Sequence, residues 1–234
     1  MRPEEFTSAL IGLTFEHTFN PYSDRCPLHD VPYAPKLRAR TMLRVLRAAS
    51  EVEIDSIWIG RDLGYRGGRR TGLALTDDVH VRAHSARWGL LARRATRGEA
   101  IAERTAAVIW AVLSEIERPV FLWNVFPLHP HEAGDPFTNR SHNAKERRAG
   151  EELLLELIRL LNPRRLVAIG NDAADSTNRL GGAFEVIKVR HPSYGGQSEF
   201  TRQVRTLYGL PRRSAGELGS LGRHVHESTG RAEF

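Results

Sequence analysis

The chain has 234 residues, 41% of them hydrophobic, enough to bury one sizeable core, and one domain is the natural count. A formal charge of +6 favours a polyanionic partner, because each neutralised phosphate releases counterions. The single cysteine, Cys26, excludes an internal disulfide framework and any all-cysteine zinc or iron–sulfur site.

Met1–Leu10 carries Glu4 and Glu5 and no long apolar run. No later stretch approaches the ~18 apolar residues of a membrane span, so a soluble, cytoplasmic protein is expected. Lys36–Ala49 has apolar residues at helical spacing. A first buried strand is expected over Ile54–Gly60 (IDSIWIG), followed by a short Gly/Arg loop, Tyr65–Arg70. A second helix is read over Glu99–Ile116 and a second strand over Pro119–Val125 (PVFLWNV). In Asn143–Leu161 the leucines 153, 154, 157, 160 and 161 line one helical face, and Asn162-Pro163 ends it. Strands over Arg165–Gly170 and Phe184–Arg190 follow, with a helix opening at Asn171 or Asp172 between them and a last helix over Gln197–Tyr208.

Strand and helix alternate, which predicts a three-layer α/β/α sandwich around a mostly parallel four-stranded sheet. Residues 1–211 are expected to form one domain. Ser214–Phe234 is polar and Gly-rich, and reads as a flexible tail. In parallel sheets ligand groups gather at the carboxyl ends of strands. The residues that follow the strands here are Arg61-Asp62, the loop 127–140, Asn171-Asp172 and His191-Pro192-Ser193, with Asn124 near the end of the second strand.

Each of these has a plain reading beside a chemical one. Asp62 can orient a water and stabilise a cationic sugar, yet an isolated loop aspartate more often caps a turn. His191 can donate to a leaving group, or it is a loop histidine beside a proline. Asn124, inside an apolar strand, offers a donor and an acceptor side by side, which suits a pyrimidine edge; neighbouring backbone is the other partner it can satisfy.

The motifs in order resemble the uracil-DNA glycosylase superfamily. Gly60-Arg61-Asp62-Leu63-Gly64 stands for its first motif and Gly72-Leu73-Ala74-Leu75-Thr76 for its second. Leu122-Trp123-Asn124-Val125 is similar to its asparagine strand, and His191-Pro192-Ser193 to its closing motif. The likeness spans roughly Asp55 to Leu210. It implies a hydrolase that flips a base out of DNA and cuts its N-glycosidic bond without metal or cofactor. Asp62 and His191 would be catalytic. Gly60, Arg61, Leu63, Gly64, Leu75 and Asn124 would contact the base. Arg69, Arg70, Asn139, Arg140, Ser193, Tyr194 and Gln197 would contact DNA.

Three positions depart from the pattern. Gly64 stands where strict uracil enzymes carry a tyrosine that blocks the thymine methyl, Leu75 replaces a stacking aromatic, and Gly195 replaces a leucine wedge that Tyr194 or Gln197 would supply. A roomier pocket is expected, with deaminated purines such as hypoxanthine or xanthine as further substrates, and a monomer acting on DNA. His129, His131 and His142 match no zinc template, so their loop is expected to face DNA or solvent. The competing expectations are a non-catalytic module on the same fold that binds damaged or single-stranded DNA, and an α/β phosphohydrolase. The latter needs a phosphate-binding loop such as GxxxxGK[ST], which the sequence lacks.

Overall fold

A computed structural model describes residues 1–182 and 184–211. The expected tail, Ser214–Phe234, lies outside the described residues. Four strands, β2 (Ser56–Asp62), β3 (Val120–Phe126), β5 (Arg165–Ile169) and β6 (Val186–Val189), form one sheet in the order β3-β2-β5-β6. All three pairings are parallel, and Gly60 lies opposite Asn124 in the β2–β3 register. The expected α/β sandwich is therefore the fold found.

The strands read as unbroken apolar runs because both faces are covered. On one face Ile57, Ile59, Phe121, Trp123 and Val125 pack in a core with residues of α1 (Pro3–Gly12), α2 (Ala34–Ser50) and α6 (Ala144–Leu161). On the other, Trp58, Leu122 and Val167 pack with α5 (Arg104–Leu113) and α8 (Gln197–Tyr208). Trp58 Nε1–H donates to the Tyr208 hydroxyl at 2.9 Å, which ties the end of α8 to the middle of β2. Strand parity then fixes the site. Trp58 and Gly60 alternate onto one side of β2 and Leu122 and Asn124 onto the same side of β3, so Gly60 and Asn124 continue the α5–α8 face to its carboxyl end.

Helix α1, the short helices α3 (Gly68–Thr71) and α4 (Val81–Ala86), and a small antiparallel ribbon of β1 (Thr18–Phe19) with β4 (His129–Pro130) were not expected from the sequence. The ribbon corrects the reading of the histidine loop. His129 is fully buried, and its Nδ1–H donates to the Leu63 carbonyl at 2.7 Å. It braces the turn after β2 instead of facing DNA.

Burial pushes His129 down to about 4 and the fully buried His84 down to about 3. Both stay neutral in the folded protein while the unfolded chain protonates them near 6.5. Their contribution is complete above that value and is lost as pH falls below it. At pH 5 the loss is about 2 kcal/mol for each, because one pKa unit is worth about 1.4 kcal/mol. Thermal unfolding at pH 5 should come on the order of 10 °C below that at pH 7.5, and His84→Gln should narrow the gap. An unfolding midpoint insensitive to this change of pH contradicts the assignment.

Candidate active site

Asp62 is the last residue of β2, not the loop residue expected, and its side chain is 6% exposed. Its two oxygens have separate partners. Arg61 Nε–H donates to Oδ2 at 2.7 Å, and His142 Nδ1 makes a short hydrogen bond to Oδ1. Arg61 also reaches Asp172, at the start of α7 (Asn171–Arg179), with 3.1 Å between Nη1 and Oδ2. One guanidinium thus sits between two carboxylates, and the group Arg61–Asp62–Asp172 keeps a net negative charge. His142 is held by the start of α6. Asn143 caps that helix by accepting from the Lys145 and Glu146 amides at 2.9 and 3.0 Å, and Glu146 returns a bond to the Asn143 amide. Capping makes a rigid mount for the residue just before it.

His191 follows β6 on the same carboxyl edge, with β5 between it and β2. Gly170, at φ 91°, closes β5, and a Cβ there would lie 3.1 Å from the His191 Cβ; only glycine allows both the turn and the approach. The Ser193 backbone N–H donates to His191 Nδ1 at 3.2 Å and the Ser193 hydroxyl lies 2.7 Å from the same nitrogen. A nitrogen that accepts a backbone N–H carries no proton, so the proton is on Nε2. Burial, then Arg61 and Arg190, lower the imidazole below its usual range, partly offset by Asp172. The result is a neutral ring with one N–H to give. If catalysis depends on that form, its rate should stay level through neutral pH and fall only below 6.5, as protonation of Nδ1 breaks the hydrogen bond donated by the Ser193 amide. A pH–rate profile checks this, and an acid limb centred at or above 6.5 contradicts it.

Asn124 is 1% exposed, and neither its Nδ2 nor its Oδ1 has a hydrogen-bond partner among the described residues. A Cβ on Gly60 would lie 2.4 Å from Asn124 Oδ1 and 2.8 Å from Leu75 Cδ2, so Gly60, Leu75 and Asn124 meet at one point. Leu75 has φ 54°, a left-handed conformation rare for leucine, and its carbonyl accepts from Trp110 Nε1–H at 3.1 Å. Leu63 is buried in the core beside α5, so it offers the site only backbone.

A cleft of about 700 Å³ opens beside this edge, between Tyr65, Glu103, Pro192, Ser193, Tyr194 and Gln197. Tyr194 is 97% exposed at φ 50°, at its rim. Two exposed cations, Arg66 and Arg104, also line it. Asn139 is exposed, and its Oδ1 accepts the Tyr65 amide at 3.0 Å.

Three expected DNA contacts are corrected. Arg69 is 3% exposed, with its guanidinium 4.1 and 4.8 Å from the ring centres of Phe19 and Phe137. Arg70 is buried in an ion pair with Asp78 at 2.7 Å. Arg140 is bound to Glu146 at 2.6 and 2.8 Å and to carbonyls of Glu16, His17 and His131. These cations build the fold, and none presents a free charge to a phosphate. Nor is the space beside Gly64 open, since Glu103 Oε1 lies 3.0 Å from where a Gly64 Cβ would be. Sequence reasoning missed Glu103, His142 as the partner of Asp62, and Asp172 as the partner of Arg61. Of these only Asp172, just beyond a strand end, carried a positional signal.

A parallel sheet whose carboxyl edge gathers a carboxylate, a neutral imidazole and a buried free amide beside an open cleft belongs to a glycosylase-type hydrolase of DNA repair. The family model described as the uracil DNA glycosylase superfamily matches residues 55–207, and the chain belongs to that superfamily. No curated protein matches it in sequence. Among solved structures it is similar to wild-type SMUG2 from Pedobacter heparinus, with a TM-score of 0.55 and 12% identity over 87% of this chain and 97% of that one. At that identity the likeness supports the fold alone. Among the described residues no helix is long and apolar enough to cross a membrane.

Proposed function

We propose that the chain excises uracil from DNA, hydrolysing the N-glycosidic bond to leave an abasic site. The observation that carries this reading is the buried Asn124 amide beside Gly60 and Leu75, whose donor and acceptor have no hydrogen-bond partner among the described residues. A buried polar group left free is costly, and such a cost persists where a ligand relieves it. An amide is complementary to the N3–H and O4 edge of uracil.

A base inside a duplex is out of reach, so it is extruded at a cost of a few kcal/mol, and the exposed Tyr194 is the side chain available to fill the gap. Bond cleavage then separates charge. The electron pair leaves with the base, where His191 Nε2–H donates to the O2 that becomes negative. The sugar becomes cationic, and the negative Arg61–Asp62–Asp172 group stabilises it. Asp62 orients the water whose oxygen bonds to C1′ and takes up its proton. Groups placed at both poles favour the transition state over the ground state. The same reading extends to deaminated purines, which share a carbonyl and N–H edge.

A labelled oligonucleotide with one uracil, incubated and then treated with alkali, tests this. Strand breaks at the uracil are expected. Binding without breaks would instead make the chain a damage-binding module, a reading that the double engagement of Asp62 by Arg61 and His142 gives some ground.

A further inference from the structure

We propose that Glu103 is a specificity-determining residue, its carboxyl forming the polar wall of the base pocket beside Gly64 and excluding bases that carry a methyl group there. The inference rests on the excision reading and names what limits its substrate range.

Geometry is the first support. Glu103 precedes α5, and its backbone is pinned: its N–H donates to Asp77 Oδ2 at 2.7 Å and its carbonyl accepts the Ala107 amide at 2.9 Å. The side chain is not spent on capping the helix and makes no hydrogen bond among the described residues. It reaches over the turn after β2. Its Oε1 lies 3.0 Å from the position of a Gly64 Cβ, and its Oε2 lies 2.1 Å from that of a Gly67 Cβ. Both glycines thus leave room for this one carboxyl. The same residue lines the cleft together with Pro192, Ser193 and Tyr194, the segment that follows His191.

Chemistry is the second. Burial, and next the Asp77 carboxylate, push Glu103 above the usual carboxyl range, with Arg66 opposing. A shift in that direction favours the protonated carboxyl, which presents a donor and an acceptor, as an amide does. A ring nitrogen or carbonyl on the incoming base can satisfy it, and a methyl group cannot. Against a methyl the acid loses its polar contacts and its space together. A wall built this way discriminates by chemistry, where the roomier pocket expected from Gly64 would have admitted bases by size.

The test measures affinity of the full chain for three non-cleavable oligonucleotides, carrying 2′-fluoro-deoxyuridine, its 5-methyl counterpart, or an ordinary pyrimidine. The wild type should prefer the uracil form over the 5-methyl form by at least about tenfold, the least that one misfitting methyl group costs in a close pocket. Glu103→Ala should bring the two within about threefold by admitting the methyl, and Glu103→Gln should keep the preference. Excision of uracil relative to thymine should shift in the same direction. An unchanged ratio in Glu103→Ala, or a wild type that does not distinguish the two, overturns the proposal while leaving uracil excision standing. If Glu103→Ala does not fold, Glu103→Asp decides, since withdrawing the carboxyl by one methylene should relax the ratio. A wild type that binds the uracil form no better than the ordinary one overturns the excision reading, and this inference with it.

Discussion

Asp62→Asn should reduce uracil excision on the order of 10²- to 10⁴-fold, the usual contribution of a well-placed acid or base, while affinity for a non-cleavable uracil oligonucleotide changes little. Asparagine keeps the shape and one acceptor oxygen but removes the charge. What remains beside the sugar is Arg61 with Asp172, a neutral pair, in place of the net negative group. The loss therefore falls on the charge-separated state and not on binding. The variant must also be shown to be folded, because Asp62 ties β2 to His142. His142→Asn serves as the control: its amide can still donate to Asp62 and should retain most of the rate, whereas His142→Ala should fall well below it. Asp62→Asn with near-normal turnover would remove Asp62 from the chemistry.

The long elements were legible because one physical signal sets each of them. The leucine stripe of α6 and its Asn162-Pro163 stop gave a helix end matching the one observed at Leu161. The strands showed as apolar runs of β-branched and aromatic residues, although β2 runs two residues beyond the expected end and takes Arg61 and Asp62 with it. The ribbon of β1 and β4 could not be read, since two-residue strands have no periodicity and exist only through a pairing more than 100 residues apart. The site divided along the same line. Residues at strand ends were found from the rule for parallel sheets. Contacts between distant segments were not, including His142 with Asp62 and Glu103 with Gly64. Arg69 and Arg70 misled for a related reason. Charge in a sequence reads as surface, and only the fold brings Phe19, Phe137 and Asp78 around those two guanidinium groups.

Asn124→Ala and Gly60→Ala should both lower excision, on the order of 10²-fold or more, and only Gly60→Ala should cost stability. Removing the Asn124 amide takes away a reader of the base edge, which costs on the order of 10²- to 10³-fold when one such donor is lost. It also removes two buried polar atoms with no hydrogen-bond partner among the described residues, so the folded state should be unchanged or more stable. Gly60→Ala leaves Asn124 in the sequence but puts a methyl 2.4 Å from its Oδ1 and 2.8 Å from Leu75 Cδ2. Leu75 is already in a left-handed conformation and its carbonyl is bound to Trp110, so the amide must give way. Overpacking of this kind costs about 1–3 kcal/mol, and the displaced amide no longer meets the base. Thermal unfolding together with uracil excision reads both effects. A residue serving only the fold would lose stability and activity together, so an Asn124→Ala protein that is clearly destabilised would make the amide structural and leave the pocket without its reader.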